Sequence, residues 1–494
     1  MGADGYRSRS NGASRSAAHE SGAVVIMFSV MLVMLLTFIG MALDLSRVYN
    51  RRAELQALAD VATLSAARKL NGSSDGMDAA SEAAKTALTE QKYNYNVQDI
   101  TWSASALTFG TTPNGPWLDA GAAKNAPVGI RFARVDTAAF GEDVGKVEAF
   151  FLRTLSGTAE VASLRAESIA GRSTSKVTPL AVCALSTVAA ESRTIASELI
   201  QYGFRRGVGY NLMDLNYGAS TPATFVINPI DPPGAIGSSS NTSPSVVGPF
   251  VCSGIIPSQG LLAGQVPVGR PFPLASLYEH FNSRFDQYSG GYCKFRSAPP
   301  DLNIKSFTST GAAWMTVAPG GQSATAMFQP ATGPYPGRRL TVADPDPGPT
   351  GTTAPAYGVL WSFARPVSAS AYVAGKYEPP SGYTPFNKSV WQTLYTPGNP
   401  APKSSYPALP PYFATGGANF TAPSSAHGPG LKLRRVLNIP LLACPVAPGA
   451  NAQATVLAIG RFFMTVPATA TTLNAEFAGI VSEDNLGGAV ELYK

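Results

Sequence analysis

The clearest pattern along the chain is the unbroken apolar run from Ala23 to Leu43, AVVIMFSVMLVMLLTFIGMAL. At about 1.5 Å per residue, such a helix covers the roughly 30 Å hydrocarbon core of a bilayer. Its only polar positions are Ser29 and Thr37, whose hydroxyls are expected to bond carbonyls of the preceding helical turn. A signal peptide has a shorter apolar region ending at small residues before a cleavage step. Here Asp44, Leu45, Ser46 and Arg47 follow the run directly, so it reads as an uncleaved anchor. Residues 1–20, rich in Ser, Gly, Ala and Arg without periodicity, read as a disordered tail.

Helical patterning continues beyond the anchor to Leu70 and stops at Asn71-Gly72. Leu45, Val48, Arg52, Leu55, Ala59, Ala62 and Ala66 recur in steps of three and four. This seam, small in its later members, suits close packing on a partner helix or on the chain's own domain. A second helix is predicted from Met77 to about Lys92, with Met77, Ala80, Ala84, Ala87, Leu88 and Gln91 on one side. Strands are expected near 97–109, 127–135 and 159–171, and a helix over 144–155. Residues 71–175 thus form an α+β exported region.

From 176 to 494 the pattern is strand-rich and loop-rich, with 229–257 and 330–358 as candidate loops or linkers. One helix stands out, with Leu274, Leu277, Phe281, Phe285 and Tyr288 on one face. Strands return at 431–444, 454–466 and 475–481. The overall expectation is an α+β protein: one N-terminal transmembrane helix, a helical stalk, and a large exported domain.

Composition adds little to this picture. Charged residues make up only 14% of the chain, and 48 glycines with 40 prolines favour turns over long helices. The net charge of +6 comes without any run of Lys or Arg longer than two, so nucleic-acid binding is not expected. Charge does not orient the anchor: Arg7, Arg9 and Arg15 precede it, while Arg47, Arg51 and Arg52 follow it. Cys183, Cys252, Cys293 and Cys444 match no zinc spacing. Export favours two disulfides, with three possible connectivities, over four buried thiols. That preference places the short N-terminus in the cytoplasm.

Residues 22–70 resemble the N-terminal domain of TadE/TadG-like Flp (tight adherence) pilus-assembly proteins. The marks are Gly22-Ala23 opening the run, Gly40 within it, and Asp44 with Arg47 at its exit. Arg51-Arg52, Leu55-Gln56, Ala59-Asp60, Ala62 and Ala66-Ala67 follow in the family's order. LRRVLNIPLLAC and LAIGRFFMTV also look like the closing segment of TadG-like chains. The resemblance implies a single-pass protein of the bacterial inner membrane with a periplasmic bulk, a disulfide-permissive compartment. It would act in surface adherence beside pseudopilins and other pilus-assembly proteins. The chain departs from TadG-like proteins that carry a D-x-S-x-S metal motif, because Asp44-Leu45-Ser46-Arg47-Val48 lacks the second Ser. A prepilin Glu five residues into the run is absent too: Met27 stands there, though processing at Gly22 stays open.

Asp44 and Arg47 suit an i,i+3 ion pair that fixes anchor depth, or pairing with a partner helix. No catalytic, cofactor-binding or metal-ligating set is expected. Gly72-Ser73-Ser74-Asp75-Gly76 fits G-x-S-x-G, but a nucleophile elbow needs a strand before the Ser. His280 reads as solvated or capping, His427 as a loop residue without companion. The acidic DPDPG at 344–348 lacks the spacing of a calcium loop. Aromatics over 270–420, including Trp314, Trp361 and Trp391, fill a strand-rich core or form a glycan-binding face. The alternatives to an assembly component are therefore a tethered surface- or glycan-binding protein and an envelope hydrolase.

Overall fold

In the computed structural model the described residues are 17–308 and 409–493, together with 327–328, 339–340 and 362–371. Short stretches fall outside this set: 71–73, 96, 128–129, 142–143, 149–150, 152–160, 193–196, 214, 216–223, 232, 258–260, 264, 448, 450 and 482–485.

Helix α1 (Ala17–Ala67) runs 51 residues without a break, a length of roughly 77 Å. Its two halves have opposite surroundings. From Val24 to Leu43 the large apolar side chains are exposed, Met27 at 74% and Phe38 at 71%. Ser29 Oγ donates to the Val25 carbonyl at 2.7 Å and Thr37 Oγ1 to that of Val33 at 2.8 Å. Both hydroxyls are thus satisfied within the helix, as a lipid environment requires. From Leu55 onward the helix turns into core: Leu55, Leu58, Ala59, Ala62, Ala66 and Ala67 are buried. The seam therefore packs on the chain's own domain from Leu55, while Leu45 and Arg52 remain exposed.

The partner of that seam is a membrane-proximal unit. Helix α2 (Ser74–Thr89) buries Met77, Ala80, Ala84 and Leu88 and packs on α1. Strands β1 (Lys92–Tyr93) and β2 (Gln98–Asp99) form a hairpin, and β3 (Leu107–Gly110) and β4 (Trp117–Leu118) follow. Asp119 caps the short α3 (Ala120–Asn125) by accepting the Ala122 N–H at 2.8 Å. Next come β5 (Phe132–Asp136), β6 (Lys146–Glu148), β7 (Val161–Ser163) and β8 (Glu167–Arg172). The helix expected over 144–155 does not begin as one, because Lys146–Glu148 pairs antiparallel with β7. Val144, Val147 and Phe151 have helical spacing, but Val147 alone is buried between exposed neighbours, a period-two pattern fixed by the partner strand.

The distal unit opens with β9 (Leu180–Cys183) and a small sheet of β10 (Glu191–Ser192), β11 (Leu199–Gln201) and β12 (Phe204–Arg205). Strands β13 (Gly209–Asn211) and β14 (Thr224–Ile227), helix α4 (Pro244–Ser253), strand β15 (Gln265–Gly269) and helix α5 (Leu274–Asn282) follow. The expected loop at 229–257 thus contains a helix. Pro244 starts it within the first turn and Gly254, left-handed at φ 72°, ends it. The other candidate loop, 330–358, lies outside the described residues except for 339–340. Two short strands, β16 (Met327–Phe328) and β17 (Arg339–Leu340), pair with each other. The C-terminal strands are β18 (Val436–Leu442), β19 (Ala452–Met464), β20 (Asn474–Val481) and β21 (Val490–Tyr493).

The distal strands close a circuit, β19-β15-β14-β9-β18 and back to β19. Only β9 and β18 pair in parallel; the other links are antiparallel. The 13-residue β19 makes closure possible, pairing with β15 at its start and β20 at its end. Both faces are apolar. Ala181, Phe225, Ile227, Val266 and Val268 share one cluster. Leu180, Val182, Val226, Ile439 and Phe462 share the other with Val247 of α4 and Phe281 of α5. The two disulfides are Cys183–Cys444, beside the parallel strand pair, and Cys252–Cys293, joining α4 to the segment after α5. The last strand, β21, returns to the proximal unit as an edge of its sheet, in the order β21-β8-β5-β3-β4.

Buried charges knit the distal unit. Arg435 is fully buried between the rings of Phe285 and Phe463, 4.4 and 4.5 Å from its guanidinium carbon. Its side chain donates to the carbonyls of Asn303, Lys305, Met464 and Thr465. Arg434 does the same for Cys252, Ser253 and Pro299. The Arg pair of LRRVLNIPLLAC is therefore structural cement. Glu198 and Arg205 form a fully buried ion pair at 2.8 Å. Glu476, also buried, accepts the backbone N–H groups of Ser362, Phe363 and Ala364 at 2.6, 3.0 and 2.7 Å. Burial nonetheless pushes its carboxyl up to about 7.

Candidate membrane-exit site

The residues where α1 leaves its apolar stretch are each tied to the proximal unit. Asp44 is buried and accepts the Phe151 N–H at 2.9 Å. That gives it a partner across the chain, in a contact that the expected pairing with Arg47 did not anticipate. One turn earlier, a Cβ on Gly40 would stand 2.7 Å from the Phe151 Cβ. Only glycine lets the Phe151 segment approach the helix this closely.

Two turns past the exit, α1 grips the tip of the β1–β2 hairpin. Arg51 and Glu54 pair at 2.9 Å on one helical face. Glu54 accepts the N–H groups of Asn94 at 3.2 Å and Tyr95 at 3.0 Å, and Arg51 donates to the Asn94 side chain. The Arg51 guanidinium also lies 4.4 Å from the Tyr93 ring centroid. Tyr93 is buried, which raises its phenol above the ordinary value, and its hydroxyl accepts the Gly145 N–H at 3.0 Å. Asn94 and Tyr95 both have positive φ, 57° and 60°. This left-handed turn without glycine costs energy, and the Arg51–Glu54 grip holds it in place.

Between these elements lies an open cleft of about 420 Å³. Helix α1 contributes Arg47, Arg51 and Glu54, the hairpin tip Asn94 and Tyr95, and β6 Lys146 and Glu148. Arg47, Tyr95, Lys146 and Glu148 are exposed at its mouth. Arg47 and Arg51 were visible in the sequence as charges after the run. Lys146 and Tyr95 were not, because long-range pairing brings them there.

Among the described residues, the others singled out from sequence are not brought together as a catalytic set. Ser74 begins α2 and Asp75 lies in its first turn, with α1 in place of the strand that an elbow requires; Ser73 is outside the described residues. His280 is buried rather than solvated: its ring packs on Gly248 of α4 and stacks on Tyr292 at 4.7 Å. Burial lowers its pKa. His427 has companions after all, with Nδ1 2.6 Å from Asp286 and 3.2 Å from Ser424 Oγ. Both contacts fall on one ring nitrogen, so the arrangement ties a loop to the end of α5. Among the described residues no three His, Cys, Asp or Glu side chains converge as metal ligands. Phe272, Phe281, Phe285, Phe307 and Tyr412 are core residues, whereas Tyr292 and Phe413 are exposed. Trp314, Trp361, Trp391 and the 344–348 acidic turn lie outside the described residues.

The fold and this site define a class: a protein with, among the described residues, one helix long and apolar enough to cross a membrane, whose continuation is built into a disulfide-bonded α+β head. Within it, residues 22–69 match the family described as putative Flp pilus-assembly TadE/G-like. The matched stretch begins in the exposed half of α1 and ends just past its last buried turn. No curated protein and no solved structure matches the chain.

Proposed function

We propose that this protein is a membrane-anchored assembly component of a Tad/Flp-type pilus system, acting in surface adherence. The observation that carries the reading is the family match over 22–69, which falls on one continuous helix, apolar and exposed first, core-forming later. In this reading α1 spans the inner membrane once, with residues 1–20 in the cytoplasm and the head in the periplasm. Two disulfides and no free cysteine among the described residues suit an oxidising compartment. The protein works through contacts with pseudopilins and other assembly proteins, without chemistry of its own. Deleting the gene is expected to reduce piliation and surface attachment, with recovery from a plasmid copy. Unchanged pili and attachment in the deletion strain would refute the proposal.

A further inference from the structure

We propose that the turn at 431–433, together with Leu302 and Phe413, is a docking surface for an acidic, apolar segment of another protein. The inference rests on the spanning role given to α1 above and on nothing else in the assembly reading.

The turn is locally unfavourable in two ways. Leu433 has φ 67°, a left-handed backbone that leucine rarely adopts. Leu431 and Leu433 also stand in water, 53% and 46% exposed. A buried network nevertheless fixes this shape. The Leu433 N–H donates to the Tyr412 hydroxyl at 2.8 Å, and that hydroxyl donates to Asp301 at 2.9 Å. Asp301 is fully buried and also accepts the Arg435 N–H at 3.0 Å. Strain over-determined by its surroundings is a mark of a functional surface. The neighbouring segments extend it. Leu302, exposed, donates its N–H to the Leu431 carbonyl at 3.2 Å. Phe413, also exposed, follows Tyr412, and its ring centroid lies 5.3 Å from the Lys432 ammonium. Four large apolar side chains thus share one stretch of surface with a cation, the make-up of a protein interaction site.

Charge selects the occupant. Segments 292–305 and 409–433 carry Lys294, Arg296, Lys305 and Lys432 against one acid, the buried Asp301. The two segments run side by side: the Leu431 N–H donates to the Pro300 carbonyl at 2.8 Å, and the Phe295 ring lies 5.3 Å from that of His427. Arg296 and Lys432 are exposed, and neither has a carboxylate partner among the described residues. Asp286, near His427, is already bonded to it. The complementary surface therefore offers carboxylates beside apolar side chains.

A second copy fits poorly, because across a two-fold axis through this turn Lys432 would face its own counterpart. The lipid of the anchoring membrane is too far away. From Leu43 to Ala67 α1 climbs about 36 Å, against a headgroup layer of roughly 5–7 Å. The distal unit begins beside that far end, where Arg172 donates to the Arg68 carbonyl at 3.2 Å. The 431–433 turn is tied to the same level, since Ser175 bridges to Ile256 and Arg434 donates to the Ser253 carbonyl at 2.7 Å.

Photocrosslinking of the full-length chain in its native host tests this. Photoreactive benzoylphenylalanine is introduced in place of Leu431 or Phe413, and the crosslinked peptides are identified by mass spectrometry. Both positions are expected to capture the same protein, through a segment rich in carboxylates and apolar side chains. Arg296→Glu/Lys432→Glu should cut the yield about fivefold. Arg296→Lys/Lys432→Arg should keep it, and unchanged thermal midpoints confirm that both variants fold. Crosslinks to a second copy of this chain or to phospholipid overturn the proposal. So do a basic captured segment, a yield indifferent to charge reversal, or no crosslink at either position. Alkaline carbonate extraction of the same membranes reads the anchor separately: release of the chain overturns the spanning role of α1, whatever the crosslinks show.

Discussion

Asp44 and Phe151 are 107 residues apart, yet the Asp44 carboxylate accepts the Phe151 N–H at 2.9 Å at the point where α1 leaves its apolar stretch. The bond is charge-assisted and the acid is buried, so it fastens the head to the foot of the stalk. Asp44→Ala is expected to cost about 1 kcal/mol locally, because it removes the acceptor of a part-buried N–H. Asp44→Asn, which keeps an acceptor, should cost less. Gly40→Val should displace the same segment sterically. Hydrogen exchange at the Phe151 amide reads all three; protection as in wild type for Asp44→Ala and Gly40→Val would refute the clamp.

Arg435 presents a harder constraint. Its donors serve four carbonyls, and two aromatic rings cover its faces. Arg435→Met should destabilise the distal unit by about 3–5 kcal/mol, the scale for removing one member of a buried polar network. Arg435→Lys should recover little of it, since an ammonium has three donors and no planar fork. Chemical denaturation of the full chain measures this, and a loss under about 1 kcal/mol would contradict the assigned role.

The disulfides differ in the loops they close. Cys183–Cys444 spans 261 residues and Cys252–Cys293 spans 41. Chain-entropy arguments assign roughly 5–6 kcal/mol to the first and about 4 kcal/mol to the second. Removing the long-range bridge as a Cys183→Ala/Cys444→Ala pair should therefore lower the melting temperature more than the equivalent Cys252/Cys293 pair. The reverse order would show that native-state strain or residual structure outweighs loop length.

Glu476 makes stability depend on pH. Its carboxyl is raised to about 7 in the fold, against about 4.3 in an unfolded chain. The folded state thus binds the proton more tightly. The stabilisation is complete below about pH 4.3 and is lost as pH rises through 7. Asp301, also raised by burial, acts in the same sense. His280, lowered by burial, acts oppositely, because acid charges it more readily in the unfolded chain. Subtracting the Glu476→Gln melting profile from that of wild type isolates the first effect. The wild-type advantage should shrink between pH 5 and 8, and a growing advantage would contradict it.

How far the sequence foretold this structure depends on how local each determinant is. The anchor and the Leu55–Ala66 seam were readable because length, lack of charge and a three-four spacing are properties of consecutive residues. Strand β6 was misread as helix because Val144, Val147 and Phe151 satisfy a helical period, while its deciding partner, β7, lies some fifteen residues on. The membrane-exit cleft needed α1, the hairpin tip and β6 together, so only Arg47 and Arg51 were visible in advance. His427 reached Asp286 across 141 residues and closure of the distal circuit joined β9 to β18 across more than 250, both without local signals.

The central claim is that α1 crosses the inner membrane once and carries the head on the periplasmic side. No cysteine is free among the described residues, so engineered thiols report without background from them. Ser10→Cys and Thr471→Cys, the latter exposed on the head, are treated in intact spheroplasts with a membrane-impermeant maleimide. Thr471→Cys should label at once and Ser10→Cys only after lysis. Labelling of Ser10→Cys in intact spheroplasts, or protection of Thr471→Cys until lysis, would contradict the account.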